Sequence, residues 1–173
     1  LDYALLSAPG APLKQALLDA GIGKEIYGDY SDGVLQPFFS IVAKGAKTSQ
    51  KEKFVSVIRN CLQDIVRNGI DKKAILAGIN YMEFRYREAD FGQFPKGLMY
   101  GLDIMGSWLY DDENAFSQVQ LLSIYDRLKE AVNEGYFEKL IQKWLLDNTH
   151  GLILTLVPKR GLAAQREVGG PSG

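Results

Sequence analysis

The sequence predicts an α+β domain, with one helical layer set against a small, mainly antiparallel sheet. Three observations predict it. Apolar residues recur at helical spacing through most of the chain, as in Phe54, Ile58, Cys61 and Ile65, and again in Ile75, Ile79, Met82 and Tyr86. Strand-like runs are few and far apart, at 24–30, 34–43 and 150–157. The two longest helical stretches meet at a tight turn near Gly69, which makes an antiparallel pair able to cover one face of a sheet.

Each element has a local cause. Residues 1–7 read as a stub of helix with no capping residue before it, so the sequence reads as a helix entered partway. Ala8-Pro9-Gly10-Ala11-Pro12 is a turn, and Pro12 opens a short helix through Leu13, Ala16 and Leu17 that ends near Gly21 or Gly23. Two strands follow, joined by Ser31-Asp32-Gly33, where glycine suits a positive φ. The second strand is apolar on both faces, and Pro37 within it removes a ladder donor and predicts a bulge or an unpaired side. Ser49 with Glu52 has the spacing of a capping box for a long helix that stops at Asn68-Gly69. Asp71 then caps the next one.

Beyond residue 90 the pattern changes. Phe91-Gly92-Gln93-Phe94-Pro95 breaks the helix, since proline disfavours a helical Phe94 and suits the first turn of a new helix. In the following helix, over 97–110, Leu98, Leu102, Met105 and Leu109 predict a buried face, and Gly97 with Gly101 a close backbone approach. Asp111-Asp112-Glu113-Asn114 is a polar loop. A further helix carries Leu121, Tyr125, Leu128 and Val132 as far as Gly135, and another carries Phe137, Leu140, Ile141, Trp144 and Leu145. Residues 150–157 are aliphatic on both faces and predict a third strand, ended by Pro158. The domain thus spans 1–158, and 159–173, closing on Gly169-Gly170-Pro171-Ser172-Gly173, reads as a linker or appended tail.

Bulk properties exclude several functions. A length of 173 residues suits one domain with a real core and is short for two. The net charge of −1 offers no overall attraction to nucleic acid or an anionic membrane, so neither is expected as a partner. No apolar run approaches the ~20 residues of a membrane helix. The lone cysteine, Cys61, sits on an apolar helix face and reads as a small buried hydrophobe. It fits a reducing compartment, cytoplasm or organelle matrix.

The stretch from Glu83 to Trp108, with Trp108-Leu109-Tyr110-Asp111 and Asp147-Asn148-Thr149-His150 after it, resembles the presequence-protease branch of the pitrilysin/insulinase zinc metallopeptidases. The likeness covers roughly residues 1–160 and is to the second, non-zinc domain of the N-terminal half. It implies the mitochondrial-processing-peptidase-like α/β fold lacking its first strand, and the sheet vacancy that leaves is expected to be filled by self-association or to make the chain poorly soluble. It also implies zinc in the parent protein, and as partners the zinc-bearing domain and C-terminal half of the same polypeptide, with an unfolded peptide as substrate. This chain would then be a chamber wall and scaffold without catalytic residues. The alternative is an inactive structural or assembly subunit of the same fold.

No catalytic motif is visible beside that resemblance. The family's H-x-x-E-H zinc helix is absent, because His150 is the chain's one histidine. The sequence therefore predicts no cofactor in this chain. The glycines at 97, 101 and 106 lack the Lys-Ser/Thr ending of a phosphate loop, and the 111–114 loop lacks the alternating ligands of a calcium site. The informative charges are Glu83, Arg85, Arg87, Glu88 and Asp90. Glu83 and Arg87, four apart, predict a surface ion pair. The other reading makes Arg85, Arg87, Phe91, Phe94 and Tyr100 candidates for a groove that holds an extended peptide, since arginine and aromatics beside an irregular backbone suit that task.

Overall fold

A computed structural model of the chain describes residues 1–89, 91–158 and 161. The predicted tail and Asp90 therefore lie outside the described residues, except for Gly161. Its core begins with the first apolar residues of the chain. Tyr3–Ser7 forms one turn of π pitch that buries Ala4, Leu5 and Leu6. Pro12 then starts helix α1, Pro12–Asp19, with its ring in the first turn, and Leu13 and Leu17, four apart, are fully buried. Burying each such leucine contributes about 1.5–3 kcal/mol. Gly21 and Gly23, at φ 67° and 71°, turn the chain around buried Ile22 into the first strand.

Strands β1, Glu25–Ser31, and β2, Phe38–Lys44, pair antiparallel from Glu25 opposite Lys44 to Ser31 opposite Phe38. Here the structure corrects the sequence reading. β2 starts at Phe38, so residues 34–37 belong to the connection, and Val34 and Leu35 are exposed. Pro37 stands just ahead of the ladder, where its missing N–H costs no pairing and the unbroken register contains no bulge. Gly33 does not adopt the left-handed conformation, because the longer loop has no need of it. The strand faces are half-buried rather than covered.

Helix α2, Lys51–Asn68, is entered through a 3₁₀ turn at Thr48–Gln50. The capping role falls to Gln50 rather than to Ser49 and Glu52. The Gln50 Oε1 accepts from the Lys47 N–H at 2.9 Å, while its Nε2 donates to the Gly21 carbonyl at 2.9 Å. Lys53 Nζ donates to the Ala20 carbonyl at 2.7 Å, tying the start of α2 to the end of α1. α2 stops at Asn68 because Gly69 turns to φ 88°, ψ 151°, positive in φ but extended rather than left-handed helical. Asp71 caps helix α3, Lys72–Glu88, its Oδ1 accepting from Lys73 N–H at 2.9 Å and Ala74 N–H at 3.2 Å. The buried line of α3 runs through Ile75, Ile79 and Glu83, leaving Met82 exposed.

Helices α4, Lys96–Trp108, α5, Leu122–Ala131, and α6, Tyr136–Ile141, complete the order, with a π turn at Gln142–Leu146 extending α6. Gly135, at φ 67° and ψ 25°, separates α5 and its 3₁₀ extension from α6. Val132, Phe137 and Ile141 reach the core built by α1 to α3. Several expectations fail. α2 and α3 are not a closely packed antiparallel pair, because α2 lies on α1 and α6 while α3 lies on α5. α4 buries none of its residues, and Leu98 and Leu102 are 53% and 54% exposed. Among the described residues nothing lies within 4 Å of a Cβ added at Gly97, Gly101 or Gly106, so none of their backbone approaches these glycines from outside the helix. The helix rests chiefly on the 117–119 turn, and periodicity predicts an apolar face without guaranteeing that something covers it. Residues 150–157 form no ladder, so the sheet has two strands among the described residues. The architecture is α+β and predominantly helical. No helix among the described residues is long and apolar enough to cross a membrane.

Gly28 shows how closely the N-terminal turn and the hairpin meet. A Cβ there would stand 2.2 Å from Leu6 Cδ1 and 2.8 Å from the Ser40 carbonyl oxygen. Gly28→Ala is expected to lower stability by about 1–3 kcal/mol through overpacking. Gly33→Ala, in open space, should change it by less than about 0.5 kcal/mol. Urea denaturation of the two variants checks both.

Candidate functional site

The helix break is built by backbone as much as by side chains. Ala89 closes α3 in the left-handed conformation, φ 47°, and is the one non-glycine residue described with positive φ. The Phe91 N–H donates to the Ala89 carbonyl at 3.2 Å, and the Phe94 N–H to the Phe91 carbonyl at 3.2 Å. Pro95, extended at ψ 130°, precedes α4, and its carbonyl accepts from the Met99 N–H at 3.2 Å. Lys96 Nζ reaches back to the Glu88 carbonyl at 3.3 Å and staples the two helix ends together.

An open hollow of about 360 Å³ results, lined by Phe84, Glu88, Ala89, Phe91, Phe94 and Lys96 among others. Of the five groove candidates it holds Phe91 and Phe94. Tyr100 stands edge-on to Phe91, ring centres 5.4 Å apart. The arginines are engaged elsewhere. Arg85 lies over the Tyr81 ring at 5.8 Å, and Arg87 donates from Nε to Glu83 Oε1 at 2.8 Å, with Nη2 2.7 Å from the same oxygen. Among the described residues the hollow therefore combines three phenylalanines with polar groups that include Lys96 and Glu88.

The Glu83–Arg87 pair forms as the spacing predicts, with Arg87 exposed and Glu83 buried. Glu83 is 8% exposed, and its second carboxylate oxygen accepts from Lys129 Nζ of α5. Hydrogen bonds from Lys129 and Arg87 hold its carboxyl below the usual glutamate range, outweighing desolvation. Nearby, the Tyr86 hydroxyl donates to the Val119 carbonyl and accepts from the Leu121 N–H at 3.4 Å. Burial, and secondarily Tyr86 and Glu83, push the Tyr125 phenol up. Sequence spacing could find Arg87 as a partner of Glu83. It could not find Lys129, 46 residues away.

The remaining reactive groups do not converge. Cys61 is half-buried in α2, and burial followed by the charge of Asp64 raises its thiol, which keeps it protonated. It borders an open apolar hollow of about 460 Å³ with Pro12, Ala16, Val57 and Ile65. His150 is exposed, its backbone N–H donating to Asn148 Oδ1 at 2.8 Å. Asp111 is engaged by its own loop, accepting from Glu113 N–H at 3.1 Å and from Asn114 Nδ2 at 2.6 Å. Among the described residues no three His, Cys, Asp or Glu side chains gather as a metal site would require. Zinc has no fitting ligand set among them.

No family model matches the chain. It is 41% identical over 162 residues to protein HypA of Clostridium perfringens, covering 94% of the chain and 16% of that protein. It is 32% identical over 173 residues to presequence protease 1, chloroplastic/mitochondrial, of Arabidopsis thaliana, covering 97% of the chain and 16% of that protein. A mitochondrial presequence protease of Danio rerio is 25% identical over 177 residues. These matches make HypA-like proteins and presequence proteases homologues of the chain over most of its length. The chain spans about one sixth of the length of the curated relatives it matches.

The ionic link between α3 and α5 has a pH signature. Glu83 is held below its ordinary pKa, so its contribution is present above the unfolded value, about 4.3, and disappears as pH falls through the lower folded one. Glu83→Gln should lower the melting temperature by several degrees at pH 7. Thermal melts followed by circular dichroism should show that gap narrowing steadily below about pH 4.

Proposed function

We propose that this chain is a non-catalytic wall and scaffold domain of a longer, presequence-protease-like zinc metallopeptidase that degrades unstructured peptides, the second domain of its N-terminal half. The observation that carries this reading is the match to Arabidopsis presequence protease 1 over 97% of the chain, in a sequence whose single histidine leaves no H-x-x-E-H motif. Zinc and the general base would then belong to another part of the polypeptide, with a cytoplasmic or organelle-matrix setting. The partners would be the zinc-bearing domain and C-terminal half of that polypeptide.

Substrate contact in this reading rests on the hollow at the helix break. Phe91 and Phe94 offer apolar surface to a side chain of an extended peptide, and Tyr100 backs Phe91. Arg87 acts indirectly, by holding Glu83, and Arg85 lies beside the hollow rather than in it.

A fluorogenic unstructured peptide tests both parts. The longer polypeptide should cleave it and lose activity to a chelator, while this chain alone should not cleave it. Inactivity of the longer polypeptide would favour an inactive structural subunit. Within an active one, Phe94→Ala should raise KM several-fold with kcat little changed, because the hollow contributes binding shared by ground and transition states. An unchanged KM would remove the hollow from the substrate path.

A further inference from the structure

Residues 151–157 are rich in aliphatic side chains and carry no regular secondary structure. Leu152, Leu154 and Leu156, which share one face of an extended chain, are 88%, 72% and 85% exposed, and Ile153 and Val157 on the other face are exposed as well. From Gly151 to Val157 no backbone group bonds another described residue. The root is fixed. The Leu146 carbonyl, four residues before His150, accepts from Arg59 Nη2 of α2 at 3.4 Å, and the 142–146 turn packs on α2. A run apolar on both faces is the pattern of a strand inside a sheet covered on both sides, not of a surface connection.

We propose that residues 151–157 are a docking strand that enters a sheet by pairing with an edge supplied by the rest of a longer polypeptide. This rests on the reading of the chain as one domain of such a protein. Two facts select that occupant. The match to Arabidopsis presequence protease 1 leaves about 3% of this chain unaligned, while 16 residues follow Val157, so the segment lies within the region shared with that relative. The same relative has some five sixths of its length outside the match, ample chain to supply an edge. Main-chain hydrogen bonds would provide the affinity, and pockets for the alternating leucines the register.

Amide hydrogen exchange read by mass spectrometry tests this in the 173-residue chain and in the longer polypeptide containing it. Peptides covering 151–157 should exchange rapidly in the chain alone at every concentration, and at least about 100-fold more slowly in the longer polypeptide. Rapid exchange in both overturns the proposal. Protection in the chain alone that grows with concentration identifies a second copy as occupant and overturns it too, as does concentration-independent protection, which would mean pairing within the chain. Leu154→Pro should abolish the protection and Leu154→Val preserve it. Peptidase activity is assayed separately. Protection without activity would defeat the peptidase reading alone, and activity without protection the docking strand alone.

Discussion

The carboxylate of Glu83 occupies a position on α3 that the pattern of the helix reserves for an apolar residue. It continues the buried line of Ile75 and Ile79, and it is tolerated there because Arg87 and Lys129 both donate to it. One partner comes from the next turn of the same helix and the other from α5, so the group sets the angle between two elements distant in sequence. The chain beyond α3 inherits that angle. The left-handed Ala89, the Lys96 contact to the Glu88 carbonyl and the aromatic hollow all hang from the end of a helix fixed at Glu83.

Groups with intrinsic reactivity are either quieted or dispersed: the Cys61 thiol is raised by burial, His150 faces solvent and Asp111 is occupied by its own turn. The hollow offers aromatic area with Lys96 and Glu88 at its rim.

Local physics was the readable part of the sequence. Asp71 caps the helix it was expected to cap, Pro12 opens α1, and the stripes of α2 and α5 face inward, because caps and periodicity depend on residues within a turn or two. The errors share one cause. The stripe of α4 and the alternation of 150–157 report that a face is apolar, and whether a partner lies over it is decided by chain far away or outside this segment. Pro37 was legible as a disruption but not as a boundary, since that distinction depends on where pairing begins. Of the groove candidates, Phe91 and Phe94 line the hollow and Tyr100 stands against Phe91, while Arg85 and Arg87 turn to nearer partners in Tyr81 and Glu83.

The absent side chain at Gly28 has a consequence for how the molecule assembles. Leu6 fills that space, so the N-terminal turn is keyed into the face of β1. A two-stranded hairpin is marginal in water by itself, and a single helical turn costs more to nucleate than it returns. Each is thus poorly formed without the other. The two should appear together as one cooperative step.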